Sequence, residues 1–195
     1  MLSKKLSTQL SIYLSLVLRH KPEELEIILD ENGWTHVATL IDKLNATGRV
    51  CELVDLQLIV EEDEKGRYQF DDAFQYIRAV QGHSHDSVKG MHHELATPPA
   101  ILYHGTPASN RESIDRKGIS RQQRLYVHLT DDREQAWKSA TRRKTDGIVY
   151  AIDTVKMQRF GIVFYRAENG VWLTKRVPYS VLQVVGFDEA PFLTN

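Results

Sequence analysis

The apolar positions of the first 85 residues recur at helical spacing and then switch to alternation. Leu6, Leu10, Tyr13, Leu14, Val17 and Leu18 share one helical face, and Pro22 sets the limit of that helix. Thr39 suits the N-cap of a second helix over residues 40–45, which closes near Gly48. Leu53, Leu56, Ile59 and Val60 form a third stripe. Residues 67–70 and 76–80 then read as two strands joined by an Asp-rich turn. Three helices followed by a hairpin is a winged-helix pattern. After Pro99 the pattern changes to short strands at 101–104, 126–129, 148–152, 163–165, 171–173 and 181–187, with helices at 108–117 and 133–143. Many short strands with two early helices predict an α+β domain.

Between the two patterns, residues 81–99 hold Gly82, Gly90, Pro98, Pro99 and four of the eight histidines, with little apolar periodicity. This breaker-rich stretch reads as a joining segment. The predicted organisation is a first lobe at 1–85, a linker at 86–99 and a second lobe at 100–195. A length of 195 residues accommodates two small domains. The 42% apolar and 26% charged composition is that of an ordinary globular chain, which excludes collagen-like and disordered classes.

Charge changes this picture in one respect. The formal net charge is −1, which speaks against a broad cationic coat for nucleic acid. The neutrality is a balance of unlike parts. Residues 1–85 carry 9 basic and 14 acidic side chains, whereas 86–195 carry 16 and 12. Residues 111–144 alone hold 10 basic against 5 acidic. Any grip on phosphate is therefore expected to be local to that stretch.

Several chemistries are excluded by what is missing. One cysteine, Cys51, makes neither an internal disulfide nor a zinc cage, and reads as a buried thiol in a reducing cytoplasm. No run approaches the ~18–20 apolar residues of a membrane span. Lys4 and Lys5 precede an apolar stretch, but Arg19-His20-Lys21 follows it where a cleavage site would stand, so an amphipathic helix is expected there instead of a leader. The Rossmann glycine fingerprint, the P-loop, the G-x-S-x-G elbow and the kinase motifs are all absent. His92-His93-Glu94 opens like a zinc-protease motif, but Thr97 stands where the second His is required, and no metal is expected.

The remaining features form a series. Arg19-His20 follows the first helix and Arg67 opens the first wing strand. Ile77-Arg78-Ala79-Val80-Gln81-Gly82-His83-Ser84 closes the first lobe. Leu102-Tyr103-His104-Gly105-Thr106 opens the second, Arg124-Leu125-Tyr126-Val127-His128-Leu129 leads into its next strand, and Ala167-Glu168-Asn169-Gly170-Val171-Trp172-Leu173-Thr174 comes late. In this order the motifs resemble the NAD-dependent RNA 2′-phosphotransferase family, which removes a splice-junction 2′-phosphate from tRNA. The resemblance runs from about Leu10 to Val185.

That resemblance implies an N-terminal winged-helix lobe, a C-terminal ADP-ribosyltransferase-like lobe, and a two-step reaction with RNA and NAD as substrates. A catalytic set of one His and three Arg maps onto Arg19, His20, Arg67 and Arg124. The arginines would clamp phosphate, which guanidinium binds bidentately while staying protonated. His20 would contact or deprotonate the attacking ribose hydroxyl. His104, Gly105 and Thr106 would hold NAD with His128 and Arg142, the glycine allowing close backbone approach. On residue type alone, Arg67 and Arg124 could be solvated charges, His128 a core histidine, Asn169-Gly170 a hairpin turn and Trp172 a core residue. The stretch Ala140-Thr141-Arg142-Arg143-Lys144 departs from the Gly and Arg-His-Gly pattern of the family, and Tyr126 stands where His is frequent. Two other functions fit the same features: ADP-ribose capping of terminal RNA or DNA phosphates, and a non-catalytic nucleic-acid-binding winged helix. A cytoplasmic monomer is the default expectation.

Overall fold

In the computed structural model, which describes residues 3–89, 91, 93–142 and 145–186, the chain divides into two units, Met1–His92 and His93–Asn195. It is an α+β protein throughout. In the first unit, helix α1 spans Lys4–Val17, and the Ser3 hydroxyl accepts the Leu6 N–H at its start. Leu10, Leu14, Val17 and Leu18 are buried as the periodicity requires, while Leu6 keeps 51% of its surface because the first turn stands clear of the core. A 3₁₀ turn at Pro22–Leu25 follows. Strand β1 (Thr35–His36) runs directly into α2 (Val37–Ala46), and α3 covers Leu53–Glu61. Strands β2 (Tyr68–Phe70) and β3 (Tyr76–Ala79) form the hairpin, and β1 adds to it in the antiparallel order β1-β3-β2. Leu14, Leu18, Leu40, Leu44, Leu56 and Ile77 are its fully buried centre.

Helix α2 begins two residues before the expected Thr39 cap. The Val37 N–H is taken by the Gln75 carbonyl at 2.8 Å, so the hairpin satisfies the first helical donor and no capping side chain is needed. Cys51 is buried, and its thiol pKa is pushed up to about 11, first by burial and then by the charges of Asp55 and Glu52.

In the second unit, β4 (Glu94–Leu95) precedes β5 (Ile101–Pro107). A 3₁₀ turn leads to α4 (Arg111–Lys117), then β6 (Ile119–Ser120), β7 (Val127–Leu129), α5 (Arg133–Ala140) and β8 (Gly147–Asp153). Helix α6 (Thr154–Arg159), β9 (Tyr165–Arg166), β10 (Trp172–Thr174), β11 (Arg176–Val177) and β12 (Leu182–Val185) complete it. Three antiparallel sheets result, in the orders β4-β9-β10-β7, β11-β6 and β12-β8-β5. Strand β8 is central and buried on both faces. Ile148, Tyr150 and Ile152 join one core cluster with Leu102, Phe164 and Trp172, while Val149 and Ala151 join another with Ala136 and Val185. That two-sided burial explains its unbroken apolar run.

Helix α6 escaped prediction because six residues are too short to show a period; the Asp153 carboxylate caps it by accepting the Lys156 N–H at 2.8 Å. The expected 181–187 strand ends at Val185, and Phe187 lies outside the described residues. The breaker-rich stretch 81–99 is shared between the units. Val88 and Met91 are buried and the Lys89 N–H bonds the Glu31 carbonyl, whereas β4 pairs with β9. Among the described residues, no helix is long and apolar enough to cross a membrane.

Candidate active site

Three of the expected residues belong to the first unit. Helix α1 ends at Val17 in a wider closing turn, in which the Leu16 carbonyl accepts both the His20 N–H at 2.9 Å and the Lys21 N–H at 3.0 Å. Arg19 and His20 thereby leave the helix axis and face the segment that follows β3. That segment gathers the site. The Val80 N–H bonds the Arg67 carbonyl, and the Ser84 N–H bonds the Arg19 carbonyl, each at 2.9 Å. The Ser84 hydroxyl lies 2.8 Å from His20 Nδ1. Gly82, at a φ of +91°, lets the chain pass close to Arg19, whose Cδ would lie 3.6 Å from a Cβ at that position. One strand extension thus holds two segments distant in sequence, Arg19-His20 and Arg67.

Arg67 is further tied by Asp63, whose carboxylate accepts both the Arg67 backbone N–H and an Nη1 hydrogen. Neither Asp63 nor Ser84 was singled out from sequence. An Asp four residues before an Arg, across a glycine-containing turn, was the available signal for the first. Ser84 ends the segment that closes the first lobe, where nothing in the sequence marks its hydroxyl.

The other group belongs to the second unit. His104, on β5, donates from Nδ1 to the His128 carbonyl on β7 at 3.0 Å. A carbonyl only accepts, so the proton of the neutral ring sits on Nδ1 and Nε2 is left as an acceptor. The pKa of His104 is held below its ordinary value, chiefly by burial; the bond to His128 opposes this and the Arg124 charge adds to it. Arg124 is exposed by area, yet protein atoms crowd its guanidinium. Burial and the Arg142 charge lower its pKa. Among the described residues, no carboxylate pairs with either guanidinium. His104, His128, Arg124 and Arg142 are therefore brought together, around two uncompensated cations.

The other two expected contacts have structural occupations. Thr106 is buried and its hydroxyl accepts from Asn110 Nδ2 at 2.8 Å. A Cβ at Gly105 would lie 1.7 Å from the Ala136 carbonyl oxygen, so packing against α5 already demands glycine there. Trp172 is core, and Asn169-Gly170 forms the β9–β10 turn, with Gly170 at a φ of +80°. Arg143 and Lys144 of the divergent turn lie outside the described residues, as does His92; the His93 ring meets Tyr126 edge-on at 5.6 Å.

The His104 shift has a pH consequence. A histidine kept neutral in the fold binds fewer protons than in the unfolded chain, so its contribution to stability is present above about pH 6.5 and is lost as pH falls below it. We expect the urea midpoint of the wild type to drop between pH 7 and pH 5.5 more steeply than that of His104→Asn. Equal slopes would remove His104 as the cause.

The profile of the RNA 2′-phosphotransferase, Tpt1 / KptA family matches residues 5–176. The chain belongs to this family. The match includes every residue placed above, from Arg19 to Trp172. The chain is 44% identical over 170 residues to a probable RNA 2′-phosphotransferase of Fusobacterium nucleatum, covering 87% of this chain and 94% of the relative. It is 40% identical over 184 residues to one of Pseudomonas syringae pv. tomato, covering 94% and 97%. To one of Flavobacterium johnsoniae it is 39% identical, covering 91% and 96%.

Proposed function

We propose that this protein removes an internal 2′-phosphate from RNA of the tRNA splice-junction type and transfers it to NAD. It would act as a cytoplasmic monomer, through a winged-helix lobe and an ADP-ribosyltransferase-like lobe. The order helix, strand, helix, helix, hairpin in the first unit supports the former, and the antiparallel sheets flanked by α5 support the latter. The observation that carries the proposal is the pair Arg124 and Arg142 beside His104, which has no carboxylate partner among the described residues. Like charges crowded without a carboxylate are costly unless an anion joins them, and a phosphate or pyrophosphate is such an anion.

NAD is a substrate in this reading. His104 Nε2, fixed as an acceptor, takes a hydrogen bond from a ribose hydroxyl, and Arg142 pairs with the pyrophosphate, whose charge relieves its repulsion with Arg124. In the first step an oxygen of the RNA 2′-phosphate attacks the ribose carbon bearing nicotinamide; a C–O bond forms, the C–N bond breaks and nicotinamide leaves. In the second step the adjacent 2″-hydroxyl attacks the phosphorus, and the bond to the RNA 2′-oxygen breaks. His20 takes the hydroxyl proton, and the departing RNA oxygen gains one. The products are 2′-hydroxyl RNA and ADP-ribose 1″,2″-cyclic phosphate. Arg19, Arg67 and Arg124 stabilise the charge on the transferring phosphoryl group.

The test is incubation with NAD and an oligoribonucleotide bearing one internal 2′-phosphate. We expect loss of that phosphate, with nicotinamide and the cyclic phosphate formed in equal amounts. A stable ADP-ribosylated RNA as the end product would show that only the first step proceeds. No consumption of NAD would overturn the proposal.

A further inference from the structure

Asp63 carries an enclosed carboxylate beside Arg67, with 4% of its side chain exposed. It follows α3 and begins the turn into β2, where the Gly66 N–H bonds its carbonyl at 2.8 Å. Its two carboxylate oxygens do different things. One accepts the Arg67 backbone N–H, and the other accepts from Arg67 Nη1. A surface ion pair four residues apart would contribute little. This one differs in that the anion is buried and engages the backbone and the guanidinium of a single residue.

The consequence is directional. Among the described residues, only Nη1 of the guanidinium is engaged, while a third of the Arg67 side chain is open to solvent. The Nε and Nη2 donors form the fork that matches two oxygens of a phosphate, and among the described residues they have no recorded partner. A long, flexible side chain is thereby reduced to one orientation before any ligand arrives, which lowers the ordering cost of gripping it.

We propose that Asp63 is a positioning residue for the reaction: it holds the Arg67 fork toward the RNA 2′-phosphate without touching substrate. The inference rests on the reading of Arg67 as part of the phosphate clamp, and it adds the group that makes the clamp rigid. Asp63→Asn is the informative change. An amide oxygen still accepts the Arg67 backbone N–H, so the turn is kept, while the charge that anchors Nη1 is removed.

The first readout needs no NAD: the affinity for an oligoribonucleotide with one 2′-phosphate, relative to its 2′-hydroxyl counterpart. We expect the wild type to prefer the phosphate, and both Asp63→Asn and Arg67→Ala to lose most of that preference. The second is turnover, where Asp63→Asn should slow phosphate transfer about 100-fold, the scale of a misplaced catalytic group. Asp63→Glu, which keeps the charge, should recover part of it. The third is the double variant: in an Arg67→Ala background, Asp63→Asn should cost nothing further in transfer.

A merely structural Asp63 would lower the melting temperature and slow both chemical steps in either background. That result, or Asp63→Asn binding and turning over like the wild type, overturns the inference while leaving the proposed reaction standing. If Asp63→Asn does not fold, slow rotation about the Arg67 Nε–Cζ bond in the wild type, seen by nitrogen NMR, is the deciding measurement. Free rotation there overturns the inference. A wild type with no preference for 2′-phosphate overturns the clamp, and the positioning role with it.

Discussion

His20→Ala is expected to stall the reaction half-way, with ADP-ribosylated RNA accumulating while nicotinamide release continues. The asymmetry follows from what each step of the proposed reaction needs. The nucleophile of the first step is a phosphomonoester, which carries close to two negative charges at neutral pH and requires no base. The nucleophile of the second is an ordinary ribose hydroxyl, which does. His20 is equipped for that task. Its Nδ1 is engaged by the Ser84 hydroxyl at 2.8 Å, and Ser84 is itself fixed through its N–H to the Arg19 carbonyl, so the ring is held in one orientation. Loss of a positioned general base costs roughly 10²–10⁴ in rate. We expect the second step to fall in that range and the first to change by less than about tenfold, because no proton moves to His20 in it. Arg67→Ala should produce the same intermediate through a different deficit, the loss of a cation at the transferring phosphoryl group. Single-turnover assays with RNA labelled at the 2′-phosphate separate the steps. Equal slowing of both, or wild-type turnover in both variants, would remove these residues from the second step.

How far the sequence led can be judged from particular residues. The long periodic elements were legible: the buried stripe Leu10, Leu14, Val17 of α1, and the apolar run of β8, lie where their patterns require. Features depending on partners distant in sequence were not. Nothing before Val37 announces a helix start, because its first donor is satisfied by Gln75 across the sheet. The resemblance named Arg124 and Arg142, but their mutual repulsion beside His104 is a property of three separate elements. Neighbour identity was equally hidden for Asp63 and Ser84, since a carboxylate or hydroxyl in a loop shows its purpose only when its acceptor or donor is known. The even balance of 25 basic and 26 acidic residues pointed away from nucleic acid, yet the basic excess over residues 111–144 surrounds Arg124.

Gly105 offers the sharpest division between two reasons for one residue. The family resemblance explains it by close approach of a dinucleotide. The structure supplies another reason: a Cβ there would lie 1.7 Å from the Ala136 carbonyl oxygen, 2.6 Å from its carbon and 3.1 Å from the Ala140 nitrogen. All three atoms are helix backbone, so no side-chain rotation relieves the overlap. Helix α5 would have to move off β5, opening the cluster in which Ala136 packs with Val149 and Ala151. Gly105→Ala should therefore destabilise the second unit by about 3 kcal/mol or more. For a unit of this size that is roughly 12–20 °C in melting temperature. Gly48→Ala is the natural control. Its φ of +79° carries the usual strain of a left-handed position, but nothing lies within 4 Å of the added carbon, so about 1–2 kcal/mol is expected. Arg142 follows the C-terminus of α5, so the same movement should draw it from Arg124 and weaken the proposed NAD binding as a secondary effect. If Gly105→Ala melts like the wild type and loses only NAD affinity, the dinucleotide explanation stands and the packing one falls. If it melts early and an added anion restores little, the glycine belongs first to the fold, and a dinucleotide would meet a surface that helix packing had already shaped.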